Sequence, residues 1–148
     1  MNAGHYTINS LRLEKAYRAW GADISPDDTA LEAGLTFAIH WKKDFLGKDA
    51  LLKQKHGGLT RRLVTFVLQD PEPVLWGSEP ILRDGKAVGY TTSGSYGHTL
   101  GAAVGTGYVK GAEPIERGYF EINVSGKLYP AAAHLRSPYD ADRRKSLC

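Results

Sequence analysis

The sequence predicts an α+β chain. A helical first part, residues 1–57, leads into a small antiparallel Greek-key β-barrel, residues 58–148. Two observations carry this. Before His56-Gly57-Gly58 the apolar residues recur at three- and four-residue intervals, whereas after it they alternate in short β-branched and aromatic runs. The second part is also cut by glycine-containing turns into five or six short segments, as a closed or nearly closed antiparallel barrel requires.

The elements follow in order. In "SLRLEKAYRAWG", Ser10 to Gly21, Leu13, Ala16, Tyr17 and Trp20 fall at i, i+3, i+4 and i+7 and share one helical face, with Gly21 as the stop. In "ISPDDTALEAGL", Ser25 and Thr29 are N-cap candidates, and Glu32 stands three residues after Thr29 as in a capping box. "DFLGKDALLKQK" reads as a second amphipathic helix with Leu46, Ala50, Leu51 and Leu52 on its inner side. "RRLVTFVL", Arg61 to Leu68, is a buried strand. Asp84-Gly85 and Ser125-Gly126 are the turns of two hairpins, because these pairs tolerate positive φ. Ala102 to Val109 is a strand between them, and Phe120, Ile122 and Val124 alternate in the second hairpin. The tail "SPYDADRRKSLC" is polar and is expected on the surface or frayed. Residues 1–57 hold too little apolar material for a core of their own and read as the end of a larger domain.

Composition narrows the function. The chain has 148 residues, enough to bury about two-thirds of its unfolded surface. It has no apolar run near the roughly 20 residues that span a bilayer and no signal-peptide pattern. The expectation is a soluble protein with no membrane partner, cytoplasmic or, in a eukaryote, in the mitochondrial matrix. The single cysteine, Cys148, cannot form an internal disulfide, and the five histidines lack zinc-site spacing. Net charge is +3, with basic residues in small groups: Lys42-Lys43, Arg61-Arg62 and Arg143-Arg144-Lys145. This is no dense basic stripe with interleaved aromatics, so nucleic acid is not expected; a small anionic ligand suits the balance.

Three features could carry chemistry. "TTSGSYGHTLGAAVGTG" lacks the GxxxxGK[ST] phosphate loop, and its glycines read as strand bends in a tight barrel. Ser93, Ser95 and His98 are close in sequence without a nucleophile elbow, so their polar groups read as partners of strand and turn backbone. Glu14 has two readings. A carboxylate at the margin of the Leu13/Tyr17/Trp20 face can accept paired N–H bonds from a planar heterocycle, or it can form a surface ion pair with Arg18 at i+4.

The segments "INSLRLEKAYRAWGADISPDDTALEAGLTFAIHWKKDFLGKDALL", "RRLVTFVL", "EPILRDGKAVGYTTSGSYGHTLG" and "GYV" resemble, in order, the C-terminal portion of the glycine-cleavage T-protein (aminomethyltransferase) superfamily. "SLRLEKAYRAWG" and "AAHLRSPYDADRR" are most similar to the folate-binding ends of sarcosine and dimethylglycine dehydrogenases. The resemblance implies a flavin-dependent N-terminal half that oxidises an N-methylated glycine. It also implies a tetrahydrofolate-binding half that captures the one-carbon unit. Residues 1–57 would be the end of the folate-binding domain and 58–148 the terminal barrel. Glu14 matches the family glutamate that holds the pterin ring, and Leu13 and Lys15 fall in the same segment. Tyr6 matches an aromatic of the folate pocket, and Lys42 or Lys43, with Lys43 retained as the site residue, stands where the family uses basic residues for folate carboxylates. The arginine near the last hairpin of some T-proteins has no match: Ser125 and Lys127 stand there.

The family's catalytic aspartate and flavin-binding GxGxxG have no counterpart in these residues. The resemblance therefore implies no catalytic residue here, FAD only in the missing N-terminal half, and no activity for the chain alone. Its partners would be folate and the missing N-terminal domains, and an uncovered apolar helix face would favour self-association. A piece of a glycine-cleavage T-protein and a non-catalytic regulatory relative are the alternatives.

Overall fold

A computed structural model describes residues 4–111 and 113–145. Cys148 lies outside the described residues. The elements are α1 (His5–Glu14), α2 (Lys48–Gly57), β1 (Arg61–Leu68), β2 (Pro80–Arg83), β3 (Lys86–Gly97), β4 (Ala102–Lys110), β5 (Phe120–Val124) and β6 (Lys127–His134). A short 3₁₀ turn covers Thr36–Ala38.

The six strands close into an antiparallel barrel in the order β1-β4-β3-β2-β5-β6. β2, β3 and β4 follow one another as neighbours, and the long 69–79 connection returns β1 to the side of β4, which is the Greek-key crossing. The predicted turns are where the sequence puts them. Asp84 and Gly85 have φ of +49° and +76°, and Ser125 and Gly126 have +52° and +90°. Two-residue turns of this hand match the twist of the flanking strands. The interior is apolar, with Phe66 and Phe120 rings 5.5 Å apart at its centre. Leu75, from the 69–79 connection, is fully buried against β3 and β4. At Gly94 a Cβ would come within 2.4 Å of the Leu75 carbonyl carbon, so the glycine lets that segment approach the strand.

Two helical expectations are corrected. The helix expected over Ser10–Gly21 runs from His5 to Glu14. It closes because Ala16 takes φ +53°, with its N–H donating to Leu13 C=O and the Tyr17 N–H donating to Arg12 C=O, a Schellman arrangement. Beyond it, tertiary partners take the groups that a longer helix would have paired internally. The Asp23 carboxylate accepts the Ala19 N–H, and the Arg18 guanidinium donates to the Ala16 and Ala33 carbonyls. Tyr17 and Trp20 are consequently exposed rather than on a buried face with Leu13. The second helix begins at Lys48, since Gly47 adopts φ +86°. Leu46 is fully exposed and Ala50 is exposed, while Leu51 and Leu52 are half-buried.

The Thr29/Glu32 capping box forms. The Glu32 carboxylate accepts the Thr29 N–H at 3.1 Å, and Thr29 Oγ1 accepts the Glu32 N–H at 3.2 Å. What it closes is a single turn, residues 30–34, not a helix. Arg61 of β1 then donates to Asp28 and Glu32, fastening this turn to the barrel.

Candidate functional site

The site is built where α1 lies against β3 and β4. Serine and leucine at Ser10 and Leu13, one turn apart, turn inward and are buried, as is Glu14. Ser10 Oγ donates to Tyr96 C=O at 2.7 Å, which fixes the helix along β3.

A buried ionic network makes the second attachment. Asp23 is 1% exposed. Its Oδ1 accepts from Thr92 Oγ1 at 2.6 Å and Thr106 Oγ1 at 2.7 Å; its Oδ2 accepts from the Ala19 N–H and from Arg12 Nη1. Arg12 Nη2 also donates to Ser93 Oγ at 2.8 Å. Neighbouring strand residues normally point to opposite faces. Here the β3–β4 register shifts between Thr91 and Ser93, and this bulge lets both Thr92 and Ser93 serve the helix side. Burial by itself would raise the Asp23 pKa, but the Thr92, Ala19 and Thr106 hydrogen bonds and the Arg12 charge together hold it below the ordinary carboxylate value. The sequence reading missed Arg12 and Asp23. Their only signal is an acid set between Ala22 and Ile24 and an arginine one residue ahead of the apolar stripe.

Glu14 lies at the end of α1 and is 2% exposed. Its Oε1 accepts the backbone N–H groups of Thr99 and Leu100, at 2.6 and 3.2 Å, in the β3–β4 turn. The Glu14–Arg18 surface pair is therefore not formed, and that reading is corrected: Arg18 is committed to two carbonyls and Glu14 to the barrel turn. Oε2 accepts no hydrogen bond from the described residues. A carboxylate held by two N–H donors through one oxygen keeps acceptor capacity on the other. The Glu14 carbonyl accepts from Ser137 Oγ and the Tyr139 N–H, and Lys15 Nζ donates to the Asp140 carbonyl and carboxylate at 2.8 and 3.2 Å. The tail is thus bound to the surface at the end of α1.

The structure brings Leu13, Glu14 and Lys15 together at this helix end, with the Leu13 side chain fully buried. Tyr6 stands two turns earlier on α1, 80% exposed, with its ring edge-on to His5. Lys43 is in another loop, where it lines a shallow cleft with Ile39, His40 and Phe45. His98 is exposed with its ring against Tyr96, and Ser93 accepts from Arg12 instead of facing His98. The described residues contain no group of three or more His, Cys, Asp or Glu able to hold a metal, and no helix long and apolar enough to cross a membrane.

Residues 61–140, which hold the whole barrel, match the family described as "Glycine cleavage T-protein C-terminal barrel domain". The chain belongs to this family. Residues 1–43 match "GCVT N-terminal domain". Mouse mitochondrial sarcosine dehydrogenase is 37% identical over 98% of this chain, and human mitochondrial dimethylglycine dehydrogenase is 42% identical over 88%. The chain spans 17% and 15% of their respective lengths. Among solved structures, the glycine cleavage system aminomethyltransferase T from Bartonella henselae matches with a TM-score of 0.75 and 30% identity, over 85% of this chain and 36% of that one. Sequence like that of this chain thus occurs both in an aminomethyltransferase and within much longer dehydrogenases.

Proposed function

We propose that this chain is the C-terminal tetrahydrofolate-binding portion of a flavin-dependent N-demethylating dehydrogenase of the sarcosine or dimethylglycine type. Residues 1–57 are then the end of the folate-binding domain and residues 58–148 its barrel. The supporting observation is Glu14: a buried carboxylate fixed through Oε1 by two backbone N–H groups, with Oε2 left as an acceptor for an N–H donor of a pterin ring. Tyr6 and Lys15 are the aromatic and cationic neighbours in this reading, and Lys43 takes a folate carboxylate. FAD and the catalytic aspartate belong to other domains of the protein. The chain alone turns over neither sarcosine nor dimethylglycine.

Titration of tetrahydrofolate into the wild-type chain and Glu14→Gln tests this. The expected result is binding by the wild type and at least a tenfold loss in the variant, since an amide presents a donor where the pterin needs an acceptor. Equal binding by both removes Glu14 from the site, and absence of binding by the wild type refutes the proposal for this chain. The likeness to the B. henselae aminomethyltransferase favours a second reading, a piece of a T-protein. A flavin-binding half encoded upstream supports the first reading; a stand-alone T-protein N-terminus supports the second.

A further inference from the structure

The end of α1 has a second side. Beside the end of α1, a cleft of about 340 Å³ opens between Lys15, Tyr17, Arg18, Phe37, Arg136 and Arg143. Its lining includes four cationic side chains and no carboxylate. Lys15 is already neutralised by Asp140, which leaves three guanidinium groups. None of these three is paired with a carboxylate among the described residues.

Arg18 is the part of the cleft fixed by the fold. Its Nε donates to the Ala33 carbonyl at 2.9 Å and its Nη1 to the Ala16 carbonyl at 2.8 Å, so the plane of the guanidinium is set while Nη2 accepts no such commitment. Nη2 stands against Gly34, where a Cβ would approach to 2.8 Å. Gly34 has φ +68°, so both its conformation and this close approach favour the absence of a side chain. Burial lowers the Arg18 pKa, and the nearby Asp23 carboxylate offsets only part of that effect. Around this fixed donor, Arg136 and Arg143 contribute more exposed charges, while the half-exposed Tyr17 ring and the exposed Phe37 ring offer apolar faces. Guanidinium groups bind carboxylate and phosphate oxygens in paired N–H geometry, and several of them at one cleft select multiply charged anions.

The geometry points to a binding site for a small, multiply charged oxyanion, carboxylate or phosphate, held by Arg18, Arg136 and Arg143 with Tyr17 and Phe37 against its stem. This goes beyond the folate reading: none of Glu14, Thr99 or Leu100 lines the cleft, and Lys15, the one residue shared with that reading, is held by Asp140. Isothermal titration at constant ionic strength with pyrophosphate and with citrate tests it. The wild-type chain is expected to bind at least one probe saturably, and the tighter probe distinguishes phosphate from carboxylate. Arg136→Gln/Arg143→Gln is expected to weaken that binding at least tenfold, while Arg117→Gln/Lys127→Gln, which removes the same charge elsewhere, leaves it unchanged. Glu14→Gln is also expected to leave it unchanged, so loss of folate binding and loss of anion binding are separable. Failure of both probes to saturate would overturn the site, as would equal weakening by the charge-matched control or by Glu14→Gln.

Discussion

Replacing Asp23 by Asn tests whether the Arg12–Asp23 network holds α1 on the barrel. The side chain is fully buried and its two oxygens receive four donors: Thr92, Thr106, the Ala19 N–H and Arg12. Asn keeps the shape and one acceptor oxygen, but turns an NH₂ toward donors on its other side and leaves Arg12 without a counter-charge. Removing one partner of a buried charged pair costs about 3–5 kcal/mol. Arg12 keeps 13% of its side chain in solvent, so the lower end, about 3 kcal/mol, is expected. For a chain of this size that lowers Tm by about 6–12 °C. Urea denaturation followed by circular dichroism measures the loss, with an unchanged m-value showing that stability and not denatured-state compactness has moved. Arg12→Leu and the double variant complete a cycle, in which a coupling energy of about 1 kcal/mol or more is expected for contacting network members. A loss below about 1 kcal/mol for Asp23→Asn, or an additive cycle, would refute the assignment of the attachment to this network.

Gly94→Ala forces a Cβ to within 2.4 Å of Leu75 backbone and is expected to destabilise by about 1–3 kcal/mol or more, whereas Gly57→Ala, with open space around it, stays within about 0.5 kcal/mol. Chemical denaturation of the pair checks this. Asp23 and Glu32 both have folded pKa values below their ordinary 3.8 and 4.5. The unfolded chain therefore takes up protons first as pH falls. Their contribution is complete above the ordinary values and disappears as pH drops through the lower folded ones. Burial lowers the His134 pKa from its ordinary 6.5, so Tm is expected to begin a gentle fall as pH drops through that value; the carboxylates steepen the fall below about pH 5, with a shallower acid slope in Asp23→Asn. Ser137→Ala/Asp140→Asn removes the Ser137 hydrogen bond to Glu14 and the Lys15 ion pair. Trypsin is expected to cut after Arg136 several-fold faster while the barrel melts unchanged; an unaltered cleavage rate would count against the tail being held by these bonds.

The barrel was legible because its signals are local. Period-two alternation and the Asp84-Gly85 and Ser125-Gly126 pairs specify strand and turn within a few residues, and the observed ladders follow them. The first helix was misplaced by the same local logic. Leu13, Ala16, Tyr17 and Trp20 keep a helical period, but the chain leaves the helix at Ala16 because Asp23, Arg18 and the tail take over its backbone groups. No neighbour in sequence announces those bonds. Glu14 was singled out by its place beside the apolar stripe and by family resemblance. Its actual partners, Thr99 and Leu100, are 85 and 86 residues away. A reading by spacing cannot reach that far.

The Greek-key order also sets a timetable for synthesis. β1 is complete when residue 68 has been made, yet both of its neighbours, β4 and β6, come later, and β6 ends at residue 134. At roughly 5–20 residues per second, the 66 residues from there to the end of β6 take about 3–13 s to follow. Until β4 has been made "LVTFVL" has both edges open, and until β6 has been made it still has one, the kind of segment through which nascent chains cross-pair. Arg61 and Arg62 precede it, charges placed where they repel a second copy of the same segment. Removal of the exposed Arg62 is a change that a melting curve of the finished barrel would register weakly and the soluble yield strongly.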